Sequence, residues 1–293
     1  MPRYGISVDV TRCTGCYSCF LACKDEYVGN DCLPVSVAQP DEGHAWIRIE
    51  ELTHGSGTKV KVDYTPIMCQ HCADAPCIRP EFGDAVYRRA DGIVIIDPVK
   101  AKGKKEIVDS CPYGVIAWNE GLSVAQKCTM CAHMIDRGEK TTRCVESCPT
   151  QALVFGDLDD AGSRISQVLK ENAERVESYK PELGTRPVVK YLSLPRPFIA
   201  GEVLLAGKQG ECVHGAKVTL TSKAGQTTLS TETDFMGDFE FKGLAVGGEY
   251  TLRAEYQGYL AKEVTVKTDA SVNLGELVLT AKKSPGNRKK LKR

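Results

Sequence analysis

Several signatures of a self-sufficient enzyme are missing from this chain. Its 293 residues contain no G-x-G-x-x-G fingerprint, no flavin motif and no nucleophile–base arrangement, so neither a dinucleotide site nor covalent catalysis is expected. No stretch is apolar over the roughly 20 residues that a spanning helix needs. The opening MPRYGISVDVTRC has neither the apolar run nor the small-residue cleavage site of a signal peptide. The expectation is an unprocessed cytoplasmic chain, with export on a signal-bearing partner as the alternative. Net charge is absent too, with 38 basic against 38 acidic residues. That balance hides an asymmetry. Seven basic residues and no acids lie in 282–293, leaving the rest with 31 basic and 38 acidic residues, a net charge of −7. An acidic body is a poor nucleic-acid binder, and the tail reads as a solvated terminus.

What dominates is cysteine. Thirteen of the 14 cysteines precede residue 149, and Cys212 stands alone beyond it. Spacings of two and three residues, without a secretion signal, favour metal thiolates over disulfides. The first run, Cys13-x2-Cys16-x2-Cys19-x3-Cys23, has the bacterial ferredoxin spacing for a 4Fe–4S cluster, with Lys24 in place of the usual proline. Zinc, needing only four thiolates in x2 pairs, is the minor alternative. The second run is Cys69-x2-Cys72-x4-Cys77, and Glu81 occupies its fourth position. The third, DPVKAKGKKEIVDSCP at 97–112, ends in Cys111-Pro112 but carries Ala101, Lys104 and Ile107 where cysteines belong. The fourth is Cys128-x2-Cys131-x12-Cys144-x3-Cys148, closed by Pro149.

In two-cluster ferredoxins the last cysteine of each run ligates the other run's cluster. Crossing the second and third runs gives Cys69, Cys72, Cys77 and Cys111 as one complete set. The set it leaves behind is Glu81, Ala101, Lys104 and Ile107, in which no cysteine remains. Random decay of the third run would not also remove the ligand supplied by the second, so one whole cluster has been deleted. Crossing the first and fourth runs gives Cys13, Cys16, Cys19 and Cys148, then Cys23, Cys128, Cys131 and Cys144. Twelve cysteines thus make three 4Fe–4S clusters, with Cys32 and Cys212 as free thiols. An uncrossed allocation uses the same cysteines but leaves the loss at position 81 unexplained. Lys102, Lys104 and Lys105 read as a solvated loop, or as positive charge near a remaining cluster. His71 and His133, inside ligand loops, could hydrogen-bond to cluster sulfur or simply pack. His214 beside Cys212 reads as structural. All-cysteine ligation leaves no open iron position for substrate, which makes the chain an electron-transfer partner with its chemistry on another subunit.

The fold class expected is α+β. Residues 1–155 form a double ferredoxin-like domain with the three clusters. Residues 156–196 form one amphipathic helix, with Ile165, Val168, Leu169 and Val176 at helical spacing, and a Pro-punctuated extended connector. Residues 197–281 alternate with period two over about seven strands, an all-β sandwich or barrel with a docking or shielding role. Residues 282–293 are a basic flexible tail.

The four-run grammar, with CPYGV at 111–115, AQKCTMCAH at 125–133 and CPTQALVFGDL at 148–158, resembles the iron–sulfur subunits of molybdenum bis-pyranopterin oxidoreductases, the dimethyl sulfoxide reductase superfamily. The lost cluster, the KAKGKKE replacement, the KPELGT connector and the added β-domain resemble its transhydroxylase branch. That resemblance implies a large catalytic subunit in a heterodimer, holding molybdenum bis-molybdopterin guanine dinucleotide and moving a hydroxyl between pyrogallol-type polyhydroxylated benzenes. It also implies an immunoglobulin-like C-terminal domain. The alternatives are a subunit for catechol dehydroxylation, aromatic hydroxylation, or a formate, oxyanion or S-oxide substrate. From a different class comes a scaffold protein whose metal sites are purely structural.

Overall fold

The computed structural model describes residues 1–207, 211–223, 225 and 227–282. Most of the basic tail read from the sequence, 283–293, lies outside the described residues. The chain divides into two units. Met1–Leu52 and Asp63–Leu194 form the first, and Thr53–Val62 joins the residues from Pro195 onward in the second.

In the first unit, strands are short because ligand loops interrupt them. They are β1 (Tyr4–Asp9), β2 (Ile47–Ser56) and β3 (Lys59–Met68), the hairpin pairs β4 (Val86–Arg88) with β5 (Val94–Ile96) and β6 (Ala117–Asn119) with β7 (Val124–Gln126), then β8 (Leu153–Asp157), β9 (Val176–Glu177) and β10 (Lys190–Leu192). Helices are α1 (Ser18–Tyr27), α2 (Ala132–Asp136), α3 (Arg143–Glu146) and α4 (Arg164–Glu171). One sheet runs in the order β8-β1-β10-β9, with β1 antiparallel to β8 and parallel to β10. As an inner strand covered on both faces, β1 buries Ile6, Ser7 and Val8 in succession. Its register sets Val8 opposite Leu153, and the Asp9 amide donates to the Ala152 carbonyl at 2.8 Å. The chain leaving β1 toward Cys13 therefore lies beside the chain entering β8 from Cys148.

Two expectations for 156–196 change. The helix is shorter than its apolar periodicity suggests. Ser163 caps it by accepting from the Ser166 amide, Ile165 is buried beneath it, and it ends at Asn172, whose side chain donates to the Val168 carbonyl. Val176 falls in β9 instead. The extended connector is also part of the first unit. Its backbone hydrogen-bonds the second cysteine run: the Ala73 amide donates to the Arg186 carbonyl at 2.8 Å, Asp74 to Thr185 at 3.0 Å, and Val188 to Gln70 at 3.1 Å.

Among the described residues the second unit has seven strands: β11 (Ile199–Leu205), β12 (Lys217–Ser222), β13 (Thr228–Glu232), β14 (Asp238–Phe241), β15 (Glu249–Glu255), β16 (Lys262–Lys267) and β17 (Val272–Leu279). They form two sheets, β14-β11-β17 and β13-β12-β15-β16. The period-two pattern buries Val203, Val218, Leu220, Phe239 and Leu252 in a separate core. The tip of the β2–β3 hairpin, expected within 1–155, belongs here. Lys59 and Lys61 alternate on one face of β3 and pair with Asp238 and Glu240, while the Asn273 amide donates to the Ser56 carbonyl at 2.8 Å.

Candidate metal centre

The cysteines converge in three groups of four, all in the first unit. Cys23, Cys128, Cys131 and Cys144 line one cavity with Tyr27 and Trp46. Cys69, Cys72, Cys77 and Cys111 line a second with His71 and Lys127. Cys13, Cys16, Cys19 and Cys148 form the third group. Burial pushes the Cys19 thiol up to about 12, with Cys13, Cys148 and Cys16 adding like-charge repulsion. Burial is again the first cause for Cys77, up to about 12, where Lys127 pulls the other way and Cys69, Cys111 and Cys72 push upward. Cys23 is driven well above the ordinary thiol value by burial, then by Cys128, Cys144 and Cys131.

The groups also influence one another in order. Cys144 of the Cys23 group is affected by Cys19, and Cys128 of the same group by Cys69. The Cys23 group therefore lies next to both of the others. In the Cys13 group Cys16 is exposed, whereas the Cys69 group is shut in by apolar packing.

This donor set fits a polynuclear iron–sulfur group. Four soft thiols surround a space, and none of the three groups includes an oxygen or imidazole ligand. Among the described residues no His, Cys, Asp or Glu side chains converge closely enough for a single metal ion. Bare thiolates packed this closely and this deeply would repel one another, and a cationic metal group removes that conflict. None of the 14 cysteines is in a disulfide.

The turns Cys13–Cys16, Cys69–Cys72 and Cys128–Cys131 bend at their third residue through a left-handed backbone: Gly15 (φ 66°), His71 (φ 42°) and Met130 (φ 53°). At Gly15 a Cβ would meet the Tyr64 ring at 2.5 Å, so only glycine fits. The other two turns aim backbone donors at sulfur: His71 N–H lies 3.5 Å from Cys69 Sγ and Met130 N–H 3.3 Å from Cys128 Sγ. Met130 is buried in the core. His133 donates and accepts entirely within the protein, with Nε2 at 2.8 Å from Glu26 and Nδ1 at 3.3 Å from the Tyr27 hydroxyl.

Three supporting residues escaped the sequence reading. Lys127 is 2 % exposed and donates to the carbonyls of Val94 and Cys128. Arg88 donates to the carbonyls of Cys72 and Ala73, both at 2.7 Å. The Thr185 hydroxyl meets the Tyr113 hydroxyl at 2.6 Å and lowers the Cys72 thiol against the burial that raises it. No spacing rule marks such residues, because their partners are backbone carbonyls or come from the connector.

The four positions that crossing leaves without cysteine differ in their surroundings. Ala101 and Ile107 are fully buried, in an apolar cluster with Phe82, Val86, Val94 and Ile116. Lys104 is half-buried and donates to the Phe82 carbonyl at 2.9 Å, so it departs from the solvated loop expected. Lys102 is exposed, and Lys105 pairs with Glu120 at 2.8 Å. Glu81 is exposed. Cys32 and Cys212 join none of the three groups. His214 Nδ1–H donates to the Thr233 carbonyl at 3.2 Å, a structural role.

Residues 60–158 match the model of a 4Fe-4S dicluster domain, and residues 199–280 that of a carboxypeptidase regulatory-like domain. The arsenate respiratory reductase iron–sulfur subunit of Shewanella sp. (strain ANA-3) is 29 % identical over 65 % of this chain and 96 % of its own. A tetrathionate reductase subunit of Salmonella typhimurium is 32 % identical over 67 % of this chain and 75 % of its own. The chain is thus an iron–sulfur subunit of the electron-transfer type found in oxidoreductases. The pyrogallol hydroxytransferase small subunit of Pelobacter acidigallici is 41 % identical over 95 % of this chain and 100 % of its own. The chain belongs to the family of that small subunit. Among the described residues no helix is long and apolar enough to cross a membrane.

Proposed function

We propose that this chain holds three 4Fe–4S clusters and conducts electrons for a separate catalytic subunit. Its ligands are Cys13, Cys16, Cys19 and Cys148; Cys23, Cys128, Cys131 and Cys144; and Cys69, Cys72, Cys77 and Cys111. The observation that carries this reading is that each group of four thiols draws on two distant runs, as the crossing rule requires. When bound, such clusters supply one-electron redox chemistry. The chain's own residues supply the thiolates, exclude water from two of the three groups, and set the Cys23 group next to both of the others. Arg88, Lys127 and the 185–188 segment hold the Cys69–Cys77 loop in place through its backbone.

The match over 95 % of the chain supports a particular partner. That partner is a large subunit with molybdenum bis-molybdopterin guanine dinucleotide, in the cytoplasm, transferring hydroxyl groups among pyrogallol-type aromatics. The arsenate and tetrathionate relatives favour a second reading, another molybdopterin oxidoreductase with an oxyanion substrate. The second unit, of immunoglobulin-like type in this reading, docks against the large subunit. Undiminished co-purification after truncation at Leu194 would remove that role.

Anaerobic iron and sulfide analysis of the purified complex tests the cluster reading. About twelve irons per chain are expected, four for each cubane. About sixteen would sink the deletion, and about eight the crossed sharing. Cys111→Ser should abolish one cluster signal and leave two. Turnover of pyrogallol, against none of arsenate or tetrathionate, separates the two substrate readings.

A further inference from the structure

His71 stands where Gly15 stands in the first run, at a left-handed turn position that a histidine adopts only against steric cost. Its side chain gives a reason for tolerating that cost. Nδ1 accepts a hydrogen bond from the Val94 amide at 3.1 Å. An amide N–H can only donate, so Nδ1 carries no proton and the neutral ring bears its hydrogen on Nε2. The residue is 1 % exposed, and Nε2 has no partner among the described residues. Buried donors are almost always satisfied, so an orphaned one asks for an acceptor. His71 lines the cavity walled by Cys69, Cys72, Cys77 and Cys111. The other orphaned atom in that wall, Gln70 Oε1, is an acceptor and cannot serve a sulfur. His133, with both ring nitrogens engaged, offers nothing comparable.

We propose that His71 donates a hydrogen bond from Nε2–H to a sulfur of the cluster held by Cys69, Cys72, Cys77 and Cys111, and so raises that cluster's reduction potential. The proposal rests on the ligand reading above. Reduction adds one negative charge to the cluster, and a fixed donor at sulfur favours the more negative state. His71 is a positioning and tuning residue, and Val94 fixes its tautomer. The same Val94 peptide accepts from Lys127 through its carbonyl, so one residue of β5 is bonded at both ends within the cavity wall.

Two substitutions separate this role from packing. His71→Asn tolerates the left-handed backbone and keeps an acceptor for the Val94 amide, but its shorter side chain leaves no N–H at the Nε2 position. His71→Gln places an amide donor near the Nε2 position and loses the acceptor. In the full complex, redox titration followed by electron paramagnetic resonance should show one signal shifted in His71→Asn. Its reduction becomes about tenfold less favourable, 59 mV for one electron, with the other two signals unmoved. His71→Gln should stay near the parent. The opposite pattern, with Gln shifted and Asn unchanged, would show a packing role and overturn the proposal, as would no shift in either. If the variants do not assemble, the parent protein decides. With ¹⁵N-labelled histidine, the reduced Cys69 cluster should show hyperfine coupling to one ring nitrogen and to an exchangeable proton, and their absence refutes the hydrogen bond. Cys111→Ser must abolish this same signal. If it abolishes a different one, the ligand reading has failed and not the hydrogen bond.

Discussion

Ile107→Ala probes the idea that apolar packing has replaced a cluster. Ile107 is fully buried, among the largest such side chains, and sits in the 3-10 turn Lys105–Ser110 that delivers Cys111. The Ser110 hydroxyl donates to its carbonyl, and the Cys111 amide donates weakly to Val108. Truncation to alanine removes three carbon groups at about 0.8 kcal/mol each. The cavity left behind adds to this, and such changes cost about 2–5 kcal/mol in all. Taking about 3 kcal/mol, and 1.4 kcal/mol per tenfold, local opening of the turn becomes about 100-fold more frequent. The assay is iron release to a chelator under anaerobic conditions, followed cluster by cluster. One cluster, the one lost in Cys111→Ser, should release iron up to about 100-fold faster, while the other two keep the parent rate. Lys105→Ala, at an exposed ion pair worth under about 1 kcal/mol, should change little. Uniform acceleration of all three clusters, or none in any, would refute the view that this packing serves the Cys111 end specifically.

Two further outcomes follow from the packing and the charges. Burial alone would push the Glu26 carboxyl up, but hydrogen bonds from Arg143 and then His133 hold it below its ordinary 4.5. Its contribution is therefore complete above about 4.5 and lost as pH falls through the lower folded value. The gap in denaturant-induced bleaching between parent and Glu26→Gln should be constant near pH 6 and close in acid, and a gap that does not vary with pH contradicts the pairing. Gly55 has φ 95°, and a Cβ there would meet the Lys59 carbonyl at 2.1 Å and the Phe198 ring at 2.7 Å. Gly55→Ala should destabilise the hairpin tip by about 2 kcal/mol or more and speed proteolysis at 53–62, and an unchanged cleavage rate would count against the tip's place in the second unit.

The cysteine grouping was legible because iron–sulfur ligation demands one residue type at fixed spacings. Crossing the runs predicts which thiols meet, and β1 pairing with β8 at Val8 and Leu153 is the backbone reason two distant runs can meet. The period-two strands of the second unit were legible for a similar reason, since a half-buried strand must alternate. What could not be read were partners that any residue can supply. The 185–188 segment looks like a linker because it has no periodicity, yet its backbone binds the Cys69–Cys77 loop. The helix from Arg164 looked longer because Val176 kept the apolar period, and nothing in that period reveals that Asn172 closes the last turn. Lys127 carries the strongest surface propensity of any residue type, and only the two carbonyls beside it explain its burial. The hairpin tip shows how pairwise complementarity hides: Lys59 and Lys61 alternate as on any exposed strand, and their acids lie almost 180 residues away.

The deletion and the Cys69 group bear on each other. Positions 81, 101, 104 and 107 come from two runs, and none of the four carries a thiol. Ala101 and Ile107 supply apolar volume, and Lys104 spans from that volume to the Phe82 carbonyl. The apolar cluster they join also includes Cys77, with Cys111 packed against it. This apolar cluster therefore abuts the Cys69 group, which Cys128 in turn links to the Cys23 group. Apolar packing borders the Cys69 group, whereas Cys16 of the Cys13 group is exposed. Water and charge can approach the two groups unequally, and a cluster's potential responds to both. In the closed surroundings of the Cys69 group, low polarity makes a single donor or cation count for most. Apolar packing around Ala101 and Ile107 thus borders the Cys69 group, and His71 and Lys127 stand in that group's wall as the side chains placed to act on it.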